Sequence, residues 1–208
     1  MTTNKATHFK TQQARKDDHL RYAGEFYQKN PTLKELDEVE FVHHALPECK
    51  VEEVSLKTEL ASLTMATPFF INAMTGGSDQ AEGINTKLAA LAQETSLVMA
   101  LGSMSILTHH PELEKSYRAL RKNFPKVRFL ANLGAHHGLE NAKRVVECVE
   151  AKALQIHLNA PQEIAMPEGD RDFTGWLKNI EAIVNGLERG GTPIPVIVKE
   201  VGFGLSKE

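Results

Sequence analysis

Three polar side chains alternate with apolar ones between residues 154 and 159. Successive side chains of a strand point to opposite faces, so Gln155, His157 and Asn159 would share one face, and leucine and isoleucine the other. A buried polar group without a partner costs about 1–3 kcal/mol, which indicates that the polar face lines a site with hydrogen-bonding chemistry. An edge strand with one solvent-exposed face gives the same alternation and stays open as an alternative.

A cation interrupts another apolar strand, Val196-Ile-Val-Lys-Glu-Val201. Burying the ammonium group of Lys199 is costly unless it meets an anion, so this lysine is a candidate binding residue. Alternation along the strand places Lys199 and Glu200 on opposite faces, which disfavours an ion pair between them. That ion pair, or a lysine that reaches solvent at the end of the strand, remains the structural alternative.

The elements that must position these residues follow from hydrophobic periodicity. From Pro68 onward, short apolar runs alternate with amphipathic stretches, as is typical of an α/β fold with a parallel sheet. The pattern predicts strands at about residues 69–75, 97–102, 128–134, 153–159 and 196–201. It predicts helices at about residues 15–27, 81–95, 112–123, 139–151 and 173–189, and a hairpin within residues 51–68. We divide the chain into an N-terminal extension, residues 1–67, and the β-α units of residues 68–208.

Several motifs connect these elements with a known family. The segment Ile156-His-Leu-Asn-Ala-Pro-Gln-Glu163, followed by Met166-Pro-Glu-Gly-Asp-Arg-Asp-Phe173, closely resembles the type 2 isopentenyl diphosphate isomerases. The resemblance extends, in the family's order, to Arg15-Lys-Asp-Asp-His19, Pro68-Phe-Phe-Ile-Asn-Ala-Met-Thr-Gly-Gly77, Asn132-Leu-Gly-Ala135 and Val196-Ile-Val-Lys-Glu-Val-Gly-Phe-Gly204. It implies a flavin-dependent (β/α)8 TIM barrel that interconverts isopentenyl and dimethylallyl diphosphate. The hairpin would then close the bottom of the barrel.

The resemblance places the cofactor at the carboxyl ends of the strands, where parallel barrels carry their active sites. The residues implied to contact FMN are Ala73, Met74, Thr75, Ser103, Asn132 and Lys199. Lys199 would lie beside N1 and the C2 carbonyl of the reduced flavin and stabilise its negative charge. A Gly-Gly pair after a strand is commonly only a turn, and Asn132 taken alone would be a satisfied core amide.

A diphosphate site needs cations and a metal ion, because several negative charges must leave water together. The residues implied to bind the substrate are Arg15, Lys16, His19, His157, Asn159 and Gln162. Glu163 is the implied ligand of Mg²⁺, which typically takes one or two protein carboxylates together with phosphate oxygens and water. Gln162, which would orient the alkene, and Lys199 are the implied catalytic residues. Taken alone, Arg15 and Lys16 beside two aspartates would be a solvated charge run, and Glu163 a solvated loop residue.

The chain departs from the family pattern after Ser103. The family commonly has Gln-Arg there, whereas this chain has Met104-Ser105, which removes one candidate contact to the diphosphate. Histidine pairs occur at positions 43–44, 109–110 and 136–137. We assign them no metal, because adjacent histidines do not share a face and no set of cysteine partners is near.

Composition narrows the class of protein further. The chain has 208 residues, of which 41% are hydrophobic and 25% charged, enough for one domain with a core. A net charge of −3 argues against a nucleic-acid or anionic-membrane surface, and no apolar run suits a membrane span or a secretory signal. Two distant cysteines, Cys49 and Cys148, suggest reduced thiols in the cytoplasm. We expect a small diphosphate substrate, NADPH as the reductant of FMN, and a homo-oligomer at full length.

The strand count predicts an incomplete barrel. A TIM barrel has eight strands and typically about 250 residues, whereas this pattern stops after a fifth strand. We therefore expect a fragment of the isomerase that, alone, neither retains FMN tightly nor isomerises. Two alternatives remain: another FMN-dependent TIM-barrel oxidoreductase, such as a hydroxy-acid oxidase, or a noncatalytic fragment that binds partner chains through open sheet edges.

Overall fold

Five parallel strands form a curled half-barrel sheet in a computed structural model of the chain. The structure describes residues 2–29, 38–74, 76–167, 169–189 and 193–206, without the side chains of residues 2–13, 15 and 79. Its helices are α1 (Thr2–Lys29), α2 (Asp79–Thr95), α3 (Glu114–Asn123), α4 (Leu139–Val149), α5 (Ala160–Ala165) and α6 (Trp176–Glu188). Its strands are β1 (Thr58–Leu60), β2 (Leu63–Met65), β3 (Phe70–Ile71), β4 (Val98–Ala100), β5 (Arg128–Gly134), β6 (Ala153–Leu158) and β7 (Val196–Glu200).

The order of the sheet, β3-β4-β5-β6-β7, follows the order of the chain, and each strand pairs in parallel with the next. Helices connect these strands, because parallel neighbours need a crossover connection. On one face of the sheet, Phe129, Leu133, Leu154 and Ile156 are fully buried in the main core, which also contains side chains from the helices. The α/β class and the incomplete TIM barrel predicted from the sequence are confirmed.

The hairpin β1–β2 covers the N-terminal end of the opposite, concave face. Met65 is 5% exposed and belongs to a second apolar cluster with the strand residues Val98, Leu130 and Ala153. Arg128, at the start of β5, donates a 2.5 Å hydrogen bond from Nη1 to the carbonyl oxygen of Thr64. The predicted hairpin at the bottom of the barrel is therefore present, although only residues 58–65 of the predicted stretch form it.

Several boundaries differ from the prediction for local reasons. The strand predicted at residues 69–75 is only two residues long, and Asn72 Oδ1 accepts a 2.8 Å hydrogen bond from the backbone N–H of Ala73 just after it. Helix α3 begins at Glu114, because Pro111–Leu113 forms a separate 3-10 turn. Helix α5, which the periodicity did not predict, begins directly after β6 with Pro161 in its first turn, a favoured position for proline.

The structure also describes the two cysteines and the apolar character of the helices. Cys49 is exposed and Cys148 is buried, and both are free thiols. None of the described helices is both long enough and apolar enough to cross a bilayer.

Candidate active site

A cleft of about 1060 Å³ opens at the carboxyl ends of the parallel strands. Most predicted site residues line it: Lys16, His19, Ala73, Met74, Ser103, Asn132, His157, Asn159, Gln162, Glu163 and Lys199. The other two predicted residues, Thr75 and the side chain of Arg15, lie outside the described residues. Parallel pairing explains the convergence, since it brings the carboxyl ends of all five strands to one edge of the sheet.

The polar face of β6 is turned into the concave side of the sheet. Register pairs Asn132 with Gln155, and both side chains are buried. Asn132 Nδ2 donates to Gln155 Oε1 over 3.3 Å, and Asn132 Oδ1 lies 2.8 Å from His157 Nδ1. The edge-strand alternative is wrong, because β6 lies between β5 and β7. The polar stripe instead forms a network of the kind that satisfies buried polar groups.

This network defines the protonation state of His157. Asn132 Oδ1 can only accept, so Nδ1 of His157 carries the proton and the Nε2 of a neutral ring is an acceptor. Burial, together with the neighbouring Lys16, His136 and Lys199, lowers the pKa of His157 to about 4. We expected His157 to donate to a diphosphate. It does so only once protonated, a change that nearby phosphate anions would favour.

His137 was not singled out as a site residue, yet it also lines the cleft. Its Nδ1 lies 3.2 Å from Asn141 Nδ2, which donates to it, and its Nε2 is buried without a partner among the described residues. Burial, together with the neighbouring His136, His157 and His109, lowers its pKa to about 3. Nε2 therefore carries the proton and is an unsatisfied donor. The position of this histidine, two residues after the Asn132–Ala135 motif, is the signal that could have identified it.

Gly134, at the end of β5, leaves space for the imidazole rings. A Cβ atom at this position would lie 2.7 Å from His136 Cε1 and 3.3 Å from His157 Nε2. Any side chain larger than hydrogen would displace at least one ring. The glycine of the Asn132–Ala135 motif is therefore explained by close approach inside the cleft.

Glu163 projects from the short helix α5. Its Oε1 accepts a 2.6 Å hydrogen bond from Asn159 Nδ2, and its Oε2 accepts a 3.0 Å hydrogen bond from the backbone N–H of Asp170. Each oxygen keeps a lone pair, so the carboxylate can still bind a hard cation. Among the described residues, no three His, Cys, Asp or Glu side chains are grouped to hold a metal. A Mg²⁺ ion fits this arrangement if phosphate oxygens and water supply the other ligands.

Lys199 is paired in register with His157 and lies partly buried in the cleft. Its Nζ donates to the carbonyl oxygen of Glu200 over 2.9 Å, which leaves two N–H groups for a ligand. The carboxylate of Glu200 instead accepts backbone N–H groups of residues 202–204, which lower its pKa to about 2. Lys199 is thus a candidate cation for an anionic ligand, and the ion-pair alternative does not hold.

Two curated proteins with similar sequences carry the same name. The chain is 43% identical, over 194 residues, to the isopentenyl-diphosphate delta-isomerase of Staphylococcus epidermidis strain RP62A, and 44% identical to that of Staphylococcus aureus strain MSSA476. The chain is homologous to the isopentenyl-diphosphate delta-isomerases. Each alignment covers 93% of the chain, which spans about half (54%) of each relative's length. No protein-family model matches the chain.

The departure from the isomerase pattern after Ser103 changes which groups face the cleft. Met104 is fully buried in the core, and its backbone N–H donates to the carbonyl oxygen of Asn132 over 2.9 Å. Ser105 lines the cleft and its Oγ lies 2.9 Å from Ser103 Oγ. Two hydroxyl groups therefore occupy this part of the isomerase homologue, where the family commonly carries an arginine.

The motif at residues 15–19 reaches the cleft because a hydrogen bond joins α1 to the start of α2. Ser78 Oγ donates to Asp17 Oδ1 over 2.7 Å and accepts from the backbone N–H of Ala81, so it caps α2 and holds α1 at once. Asp18, by contrast, pairs with Arg21 on the exposed side of α1. Asp18 therefore behaves as part of a solvated charge run, as the alternative interpretation expects. Asp17 instead anchors α1, the helix that brings Lys16 near His157.

Proposed function

We propose that the protein containing this chain isomerises isopentenyl diphosphate to dimethylallyl diphosphate with reduced FMN and Mg²⁺. The main observation in support of this proposal is that Lys16, His157, Glu163 and Lys199 line one cleft. Two cations and a titratable ring suit a diphosphate, and a carboxylate beside them suits the metal that accompanies it. The names of the homologues support the same reaction.

Each residue has a part that follows from its position. Lys16 and protonated His157 would bind diphosphate oxygens, and Glu163 would hold Mg²⁺ against them. Gln162, one residue earlier on α5, would orient the alkene and assist proton transfer, although an amide is too weak an acid or base to act alone. Moving the double bond requires a proton added at one end of the allylic unit and another removed at the other end. Atoms and electrons then balance without net oxidation.

The cleft offers suitable groups for FMN. Asn132 has both amide atoms engaged in the buried network, so it would contact the flavin through its remaining N–H. Lys199 keeps two donors, and Ser103 and the backbone after β3 lie along the same opening. Bound reduced FMN supplies an acid–base group and negative charge next to the reacting carbons. NADPH as its reductant, a homo-oligomer and a cytoplasmic location complete the proposal, the last supported by the two free thiols.

The direct test uses protein expressed from its complete gene, with the intact mass verified. Isopentenyl diphosphate is added with FMN, NADPH and Mg²⁺ under anaerobic conditions, and the product is followed by NMR. We expect dimethylallyl diphosphate to form with no NADPH consumed per turnover. Oxidation of a hydroxy acid coupled to flavin reduction, without isomerisation, would support the oxidoreductase alternative instead.

Substitution Lys199→Met should make the bound flavin harder to reduce. A hydrogen bond to a charged group is worth about 1.5–3 kcal/mol, and this substitution removes it from the reduced, anionic form. Redox titration of the flavoprotein should therefore give a lower midpoint potential. Lys178→Met, an exposed position on α6, is the control and should leave the potential unchanged. A potential for Lys199→Met equal to or above that of the unmodified protein would contradict the contact.

A further inference from the structure

Hydrogen bonds from the side chain of Arg171 hold the loop after α5 against the end of that helix. Arg171 Nη1 donates to the carbonyl oxygens of Glu163 (2.6 Å), Gly169 (2.8 Å) and Asp170 (3.0 Å). Its Nη2 donates to the carbonyl oxygen of Met166 over 2.8 Å. The guanidinium group thus donates to four backbone acceptors, with one of the two Nη1 N–H groups shared between two carbonyl oxygens.

Close backbone contact at Gly169 also holds the loop against α5. A Cβ atom on Gly169 would lie 2.0 Å from the carbonyl oxygen of Glu163 and 2.7 Å from its carbonyl carbon. Both atoms are backbone, so no side-chain rotation could relieve the clash. Only glycine lets the loop approach α5 this closely.

The fastened loop reaches the carboxylate that faces the cleft. Arg171 holds the carbonyl of Gly169, which shares a peptide plane with the N–H of Asp170, and this N–H donates to Glu163 Oε2 over 3.0 Å. Asn159 Nδ2 binds the other oxygen, so the carboxylate is held from both sides. Without the loop, one of these two donors is lost and the side chain regains rotational freedom.

We propose that Arg171, with Gly169, is a positioning residue for the carboxylate of Glu163. This inference rests on the proposed function in so far as that carboxylate binds the metal ion. Arg171 does not line the cleft, and its four hydrogen bonds all go to backbone carbonyl oxygens. Groups that orient a metal ligand commonly change metal affinity about 10–100-fold when they are removed.

The test measures Mn²⁺ binding by electron paramagnetic resonance, with inorganic pyrophosphate present. Arg171→Gln, Arg171→Lys and Gly169→Ala are compared with Glu163→Gln and with the control Asp172→Ala. Asp172 lies in the same loop but bonds only Thr174 in the described contacts, so its variant should bind Mn²⁺ normally. Arg171→Gln and Gly169→Ala should weaken Mn²⁺ binding about tenfold or more. Lysine should restore little, because one ammonium cannot reach four carbonyl oxygens.

The double variant Arg171→Gln/Glu163→Gln distinguishes positioning of the Glu163 carboxylate from a general loss of order in the loop. If Arg171 acts through Glu163, its substitution should have no further effect on Mn²⁺ binding once the carboxylate is gone. Independent losses that multiply would overturn the inference, and so would an Arg171→Gln variant that binds Mn²⁺ normally while Glu163→Gln weakens Mn²⁺ binding.

A second measurement does not depend on metal or on isomerisation. The amide resonance of Asp170 reports its hydrogen bond to Glu163, and Glu163→Gln defines the shift on losing the carboxylate. Arg171→Gln should move the resonance in the same direction, and an unmoved resonance would overturn the inference. If Mn²⁺ binding is insensitive to Glu163 while this shift appears, the metal assignment of the proposed function fails and the positioning role stands.

Discussion

Glu163→Gln is expected to lower kcat/KM for isomerisation at least about a hundredfold and to remove most of its dependence on Mg²⁺. The glutamine keeps the size of the side chain but replaces the anionic oxygens that a hard cation requires. The diphosphate would then bind with less of its charge neutralised, and its position over the reacting groups would be lost. Loss of one metal ligand commonly exceeds the effect of losing an orienting partner, about 10–100-fold.

Measuring initial rates across a Mg²⁺ series, with FMN content determined for each preparation, would check this expectation. Flavin content should stay near that of the unmodified protein, because the FMN contacts proposed here do not include Glu163. Glu181→Gln, on helix α6, is a suitable control. A variant at position 163 with the unmodified rate and Mg²⁺ dependence would exclude this carboxylate as the metal ligand.

Acidification should destabilise the fold through His137 and His157. Their pKa values are lowered from 6.5 to about 3 and about 4 respectively, chiefly by burial. Between these values and 6.5 the unfolded chain binds more protons, so the free energy of unfolding falls as the pH falls. At 1.36 kcal/mol per pKa unit, each histidine should remove about 2–3 kcal/mol by about pH 4.5. The charged groups facing His157 are Lys16 and Lys199, with His136 adjoining both rings.

Urea unfolding followed by circular dichroism at pH 7 and about pH 4.5 would test the assignment. Carboxylates such as Glu114, whose pKa Arg144 lowers, also lose stabilising interactions in acid. Their contribution is common to all variants and cancels in a comparison. His137→Gln and His157→Gln should each lose about 2–3 kcal/mol less on acidification than the unmodified protein. Equal losses in all three proteins would show that neither ring is held neutral by the fold.

Much of the candidate site could be predicted because strand geometry is local. The period of two along residues 154–159 assigned Gln155 and His157 to one face before any partner was known. Parallel β-α repeats then required the polar residues near the carboxyl ends of the strands to converge. The cleft does bring them together, from Lys16 on α1 to Lys199 on β7. Helix α5 was not predicted, because six residues are too few to establish a helical period.

The sequence by itself determined the α/β class, the strand that carries the polar face, and the residue types available to bind a diphosphate and a cation. Periodicity and motif order encode those properties locally. Only the tertiary structure decided that His157 is neutral, that His137 reaches the cleft with an unsatisfied donor, and that Arg171 serves backbone carbonyls. These outcomes depend on desolvation, on neighbouring charges and on contacts between segments distant in sequence. No spacing along the chain specifies such quantities, since each arises only when the elements pack.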